Sequence, residues 1–295
     1  MMNNFLFIDW QPSLEVFSIG NFSVRWYSLM WVLGLAAAYF IVKKLYKQQG
    51  ISEEKFDPLF IYCFLGVIIG ARLGHCLFYE PTYYLGSLKG FVEMFLPVHF
   101  APDSWDWRFT GYAGLASHGG ALGLFIAMVL YTKKTGVKFF TVWDNVAIAT
   151  PMTACCIRLG NLMNSEIIGS QTDVPWAFIF HSNEAMVDGM LVPRHPAQLY
   201  EAIAYLIIFV IGILIYRMRR RKTENGGVGT GFYFGFCMLT IFLFRFFIEF
   251  IKKEQVDFEK GMTLDMGQLL SIPFIIAGIY FMLRKPHETN NNHNS

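Results

Sequence analysis

The sequence predicts an all-α integral membrane protein of about seven transmembrane helices, with an outer interfacial arm and a small periplasmic or extracellular cap. Three observations predict it. Hydrophobic residues fill 54% of the 295 positions and charged residues only 16%, too apolar for an ordinary soluble domain. Seven stretches approach the length of about 20 mostly apolar residues that a bilayer core demands. The basic residues between those stretches alternate in density, as the positive-inside rule requires of a chain that crosses repeatedly.

In order, the N-terminal stretch 1–22 holds Asp9, Pro12 and Glu15 and has no basic n-region, so it does not read as a cleavable signal peptide. A short amphipathic segment on the membrane surface is expected there. The spans follow at 26–45, 56–79, 115–131, 139–162, 197–216, 229–251 and 264–283. The third is the weakest, because it opens with Ser117-His118-Gly119-Gly120. Lys43, Lys44, Lys47 and Lys55 follow span one, Lys133, Lys134 and Lys138 span three, Arg217 and Arg219 to Lys222 span five, and Arg284 and Lys285 span seven. These are 14 of the 24 basic residues, against six (Lys89, Arg108, Arg194, Lys252, Lys253, Lys260) on the other side. The asymmetry puts the N-terminus outside and the C-terminus in the cytoplasm.

Two outer segments are long. Residues 80–117 carry Tyr83, Tyr84, Phe91, Phe95, Phe100, Trp105, Trp107 and Phe109, a composition suited to the membrane interface. Residues 163–196 carry Asp173, Glu184 and Asp188 and are expected to form the cap, with strand pairing around 176–180. Residues 1–285 read as one polytopic membrane domain, and the polar, Asn-rich 286–295 as a disordered cytoplasmic tail. No internal repeat is visible.

Net charge is +2, which points to no nucleic acid. The five cysteines lie in apolar stretches without C-x-x-C spacing and read as packing residues. No set of residues has the spacing of a metal site, and no cofactor is implied.

What remains are polar groups where a membrane should not hold them. Ionisable side chains inside spans are costly, at least ~2.5–3.5 kcal/mol each, and usually face a cavity or a partner. Residues 157–169 read I-R-L-G-N-L-M-N-S-E-I-I-G and place Arg158, Asn161, Asn164 and Glu166 at the end of span four. Arg158 and Asn161, three apart, share a helix face. The planar guanidinium fork suits a phosphate or carboxylate, so a pocket for an anionic group is expected. Further clusters are Arg25-Trp26-Tyr27, Gly70 to His75 with Arg72, His118-Gly119-Gly120, His195 to Glu201, and the i, i+4 pair Arg245 and Glu249. Singly, each fits a structural role: an interfacial anchor, a buried ion pair, a satisfied histidine, a salt bridge. Together they crowd one depth, which suggests a shared cavity.

These residues resemble those of the bacterial prolipoprotein diacylglyceryl transferases over nearly the whole chain. The family signature G-R-x-G/A-N-F-x-N-x-E-x-x-G is met at Arg158, Gly160, Asn161, Asn164, Glu166 and Gly169. Ile157 stands where the family usually has Gly, and Leu162 where it has Phe; both are packing changes. Trp26-Tyr27, Gly70-Ala-Arg72-Leu-Gly, His118-Gly-Gly120, His195-Pro-Ala-Gln-Leu-Tyr-Glu201 and Arg245-Phe-Phe-Ile-Glu249 follow the same pattern.

The resemblance implies an enzyme of the bacterial cytoplasmic (inner) membrane. It would move the diacylglyceryl group of phosphatidylglycerol onto the thiol of the lipobox cysteine in a prolipoprotein signal peptide, releasing glycerol phosphate. Its partners would be those two substrates and the surrounding membrane lipids. His118 is implied as the base, with Tyr27 as a polar partner, and Arg158 and Arg245 as phosphate holders. Asn161 would orient the headgroup, and Glu166 and Glu249 would hold the arginines. Asn164, Gly169, Gly119, Gly120, His195 and Arg72 are further candidates for substrate binding. A lipid or anion transporter is the alternative, since intramembrane arginines would serve it too.

Overall fold

A computed structural model describes residues 7–20, 22–101, 103–111, 114–252 and 264–284. The expected tail at 286–295 lies outside them. In chain order, β1 (Ile8–Trp10) and the hairpin of β2 (Glu15–Ile19) and β3 (Phe22–Arg25) precede α1 (Trp26–Gln48). Then come α2 (Glu53–Phe78), the short α3 (Pro81–Gly86) and α4 (Leu88–Phe95), and a second hairpin, β4 (Val98–Phe100) with β5 (Trp107–Phe109). Next are α5 (Ser117–Thr135), α6 (Phe139–Met163) and the strands β6 (Phe178–Phe180), β7 (Met186–Val187), β8 (Met190–Leu191) and β9 (Pro193–Arg194). The chain ends in α7 (Ala197–Arg220), α8 (Phe232–Ile248), a 3-10 turn at Glu249–Ile251, and α9 (Met266–Leu283).

Every expected span is thus helical. Six of the helices are long and apolar enough to cross a membrane: α1, α2, α6, α7, α8 with its 3-10 turn, and α9. The remaining one, α5, has 19 residues but begins Ser-His-Gly-Gly and ends with Lys133 and Lys134 in its last turn. Local signals set the ends. Glu53 and Glu54 oppose the positive end of the α2 dipole. Gly136, at φ 70°, ends α5 in the left-handed conformation that glycine adopts without strain. Asp265 and Gln268 form a reciprocal capping box at the start of α9.

The chain divides into two compact units. In the unit of residues 50–142, α2 and α5 meet through glycines. A methyl group at Gly119 would run into the Gly70 carbonyl, and one at Gly123 into that of Gly66. Such close backbone approach gives van der Waals contact where lipid offers no hydrophobic drive between helices. Between α2 and α5, the segment expected as an interfacial arm holds α3, α4 and the β4–β5 hairpin among its described residues, with Phe91, Phe95, Trp105, Trp107 and Phe109 exposed.

The other unit holds residues 1–49 and 143–295. The N-terminal stretch, expected as a surface segment, enters a sheet instead: β1 pairs parallel with β6, and β9 pairs antiparallel with β6. Its inner side packs Phe178 and Phe180 on Leu162 and Ile168, and Trp10 Nε1 donates to the Leu162 carbonyl at 3.0 Å. The strand expected near 176–180 is therefore β6. Thr153 Oγ1 of α6 donates to Gly34 O of α1 at 3.0 Å. The α8–α9 pair repeats the glycine device with Gly235 and Gly278. The fully buried Asp144 carboxylate accepts from the amides of Gly229, Gly231 and Phe234 at 2.8–2.9 Å, which fixes the start of α8.

Candidate active site

The signature forms where α6 ends. Glu166 N donates to Asn161 O at 3.0 Å, folding the chain back on the last helical turn. Ser165 and Ile167, on either side of Glu166, have φ of 54° and 57°. A β-branched residue at positive φ is strained, and such strain persists only where surrounding contacts hold it. The contacts converge on Glu166. Its carboxylate accepts from Asn161 Nδ2 (3.1 Å) and Asn164 Nδ2 (3.0 Å), and its carbonyl accepts from Gln198 Nε2. Asn161 Oδ1 in turn accepts from Arg158 Nη1 at 3.3 Å. Glu166 was expected to hold an arginine. It holds the two amides instead, because the tight turn brings its carboxylate back over α6.

The carboxylate that holds Arg158 is Glu201 of α7, whose side chain is fully buried. Its Oε2 lies 3.1 Å from Arg158 Nε, and its Oε1 takes Lys252 Nζ at 3.3 Å and the Tyr205 hydroxyl at 3.2 Å. Lys252 also reaches Glu249 Oε1 at 3.0 Å, and Glu249 pairs with Arg245 Nε at 3.6 Å. A continuous path therefore runs Arg158–Glu201–Lys252–Glu249–Arg245. Tyr205 lies within electrostatic reach of both arginines. The path links three cations to two carboxylates, a net charge of +1 before Glu166, one hydrogen bond further out, is counted. The Arg245 side chain is 40% exposed, and among the described residues its two terminal nitrogens have no hydrogen-bond partner. A fork left open in this way can accept an oxyanion bidentately.

The site-facing glycines have steric reasons. A methyl at Gly169 would meet His195 Cβ and O at 2.5 Å, and Gly169 N donates to His195 O at 2.9 Å. Gly169 also bridges to Lys252 in an antiparallel pair, so it seats the backbone that carries the lysine. Gly160 lies against Tyr27, which brings the start of α1 onto the signature helix. His195 packs on Tyr200, its Nδ1 3.2 Å from the hydroxyl, and burial pushes its imidazole below the ordinary value. It braces the loop before α7.

In the unit of residues 50–142 the candidates separate. Arg72 is buried, with its guanidinium on the carbonyls of Glu93 (2.7 Å) and Met94 (3.3 Å) and over the Tyr84 ring at 4.9 Å. These contacts fasten Tyr84, Glu93 and Met94 to α2, a structural use of the side chain. His75 faces Glu80 at 3.5 Å. Gly119 belongs to the α2–α5 seam, whereas a methyl at Gly120 would meet only ordinary contacts of 3.5 Å. His118 is the second residue of α5 and its side chain is exposed.

Glu201 and Lys252 were missed as members of the charge network. Glu201 had a signal of its own, as an acid inside an otherwise apolar span; Lys252 had none, because it follows span six as an ordinary flanking lysine. Among the described residues, no three His, Cys, Asp or Glu side chains gather as metal ligands would.

Six helices long and apolar enough to cross a membrane, with an arginine–carboxylate network where three of them end or begin, mark a multi-pass membrane protein built to meet an anionic group. The family model of the prolipoprotein diacylglyceryl transferases matches residues 15–284, and the chain belongs to that family. A phosphatidylglycerol–prolipoprotein diacylglyceryl transferase of Bacteroides fragilis is 55% identical over 95% of this chain and 96% of its own length. Proteins of the same name from Porphyromonas gingivalis and Tolumonas auensis are 38% and 37% identical, over 94% and 95% of this chain and 94% and 98% of their own.

Proposed function

We propose that the chain transfers the sn-1,2-diacylglyceryl group of phosphatidylglycerol to the thiol of a prolipoprotein lipobox cysteine. The observation that carries this reading is the unbroken Arg158–Glu201–Lys252–Glu249–Arg245 path in a member of this family. The substrate cysteine's sulfur attacks the glycerol carbon that bears the phosphate. A C–S bond forms, the C–O bond breaks, and its electron pair stays on the leaving glycerol phosphate. The thiol, with an unperturbed pKa of about 8.5, must lose its proton to act. His118 is proposed to take it, with Tyr27 as a polar partner. The leaving phosphate gains negative charge as the bond breaks. Arg158 and Arg245 are held by carboxylates before the substrate arrives, so they offset that charge without reorganising. A preorganised donor of this kind contributes roughly 3–4 kcal/mol. Asn161 and Asn164, fixed by Glu166, are proposed to orient the headgroup.

The reading extends to a bacterial cytoplasmic membrane location, one polytopic domain over 1–285, the N-terminus outside, and the aromatic segment 80–117 lying in the outer interface. Accessibility labelling should then reach Ser104 from outside and Arg217 to Lys222 only from inside; the reverse pattern overturns the orientation.

The deciding experiment incubates purified protein with phosphatidylglycerol and a lipobox peptide. A mass gain of one diacylglyceryl group on the peptide cysteine is expected, and it should vanish with His118→Ala. Movement of lipid between vesicles with no bond change would mean a transporter. Full activity in His118→Ala would remove that side chain from the proton transfer.

A further inference from the structure

We infer that the basic ends of α1 and α7 form a second lipid site, which holds an anionic phospholipid and takes no part in the transfer. A cavity of about 720 Å³ opens between these helices, within the ~300–1,000 Å³ range of small-molecule sites. Ile41, Leu45 and Ile213 line it with hydrocarbon, and Lys44, Arg217 and Arg221 line it with charge. All three cations are exposed, and among the described residues none has an ion-pair partner. A fourth, Arg220, donates to Gln48 O at 3.2 Å and ties the two helices together. Tyr216, another lining residue, keeps a buried hydroxyl with no hydrogen-bond partner among the described residues.

Charge and shape together select the occupant. Basic flanks alone follow from the positive-inside rule and imply no site. Here the cations line a concave apolar groove between two helices, so the fitting ligand has an anionic head and a hydrocarbon body. A free phosphate would leave the groove unfilled, and a zwitterionic lipid would put its own cation against these three. The site also lies far from the transfer chemistry. Seventeen residues separate Tyr27 from Lys44 on α1, and sixteen separate Glu201 from Arg217 on α7, about 25 Å at the helical rise. The inference therefore stands whether or not the transferase reading does.

The test photolabels the purified full chain in neutral detergent with a photoactivatable phosphatidylserine, and in parallel with the phosphatidylcholine analogue. Adducts are mapped by mass spectrometry. Phosphatidylserine should label peptides covering 41–48 and 209–221 at least about five-fold more than phosphatidylcholine, the effect expected of a single cation beside an anionic lipid. Arg217→Gln with Arg221→Gln should lose that excess, while labelling elsewhere is unchanged. The double variant retains Arg219, Arg220 and Lys222, so the flank remains basic. If it is not monodisperse, Lys44→Gln alone is read in the same way and should lower the excess. Equal labelling by the two lipids, unchanged labelling in the variants, or displacement by millimolar inorganic phosphate would each overturn the site.

Discussion

Arginines stand in two settings in this molecule, and their donors are satisfied in opposite ways. Arg72, under the arm, and Arg194, under the β-sheet, are 6% and 3% exposed. Arg72 is spent on the carbonyls of Glu93 and Met94, and Arg194 on those of Ala185 and Gly169. Arg158 and Arg245 instead touch carboxylates through one edge and keep the rest of the fork for a side-chain amide, a tyrosine or a ligand. A carbonyl-bound arginine is a staple, because its donors close loops that have no other partner. A carboxylate-bound arginine is a charge held in place. Depth in a membrane protein therefore does not by itself say what an arginine is for; the groups its donors meet separate a structural staple from a charge free to meet a ligand.

The sharpest way to break this comparison is to truncate one arginine of each kind. Arg158→Ala should lower transfer by two to three orders of magnitude in the protein that stays folded, roughly the 3–4 kcal/mol of one preorganised donor, while Lys252 remains on the buried Glu201 carboxylate and limits the fall in thermal stability. Arg72→Ala should do the reverse. It strands buried carbonyls and should lower stability by about 3 kcal/mol, read as a lower Tm and faster amide exchange in 80–111, while the protein that stays folded retains its turnover. Equal effects of the two variants on turnover and Tm would erase the distinction.

Within the arginine–carboxylate network, Arg245→Lys should be costly even though charge is kept, because an ammonium cannot offer two parallel donors. A loss of about ten-fold or more in kcat is expected; wild-type turnover would mean that only the charge matters there. The two glycines after His118 provide a smaller contrast. Gly119→Ala pushes a methyl into the Gly70 carbonyl and should destabilise by roughly 1–3 kcal/mol, as overpacking does, whereas Gly120→Ala should be silent in the same melting experiment.

The smallest effect concerns pH and the arm. Burial raises the Glu93 carboxyl, but bonds from the Phe100 amide, Tyr83 and His99 outweigh it and hold the group below its ordinary value. Burial and the neighbouring Glu93 push Tyr83 up to about 12. A depressed carboxyl stabilises the fold above its unfolded pKa and loses that contribution as pH falls through the folded one. Amide exchange in 88–100 should therefore quicken below about pH 4, and Glu93→Gln should flatten the dependence. A pH-independent arm would show that the carboxylate contributes nothing.

Much of this protein was legible in its residues. Spans follow from apolar length, and their ends from charges, glycines and caps that act within one turn. The cluster from Arg158 to Gly169 was readable because Asn161, Asn164 and Glu166 meet over a few residues. The pairs that complete the site were not. Arg158 meets Glu201 forty-three residues on, Glu201 meets Lys252 fifty-one residues on, and β1 meets β6 across most of the chain. Arg72 and Gly119 carried the same motif signal as Arg158 and Gly169, and only packing showed the first bound to carbonyls and the second set in a helix seam.

Periodicity and composition by themselves determined the membrane class, the helices and the short-range signature, since those depend on interactions within a turn or on the average environment of a segment. Which buried charge faces which partner was decided only in three dimensions. An ion pair forms between whatever side chains the packed helices bring within about 4 Å, and no local rule encodes a distance across separate elements.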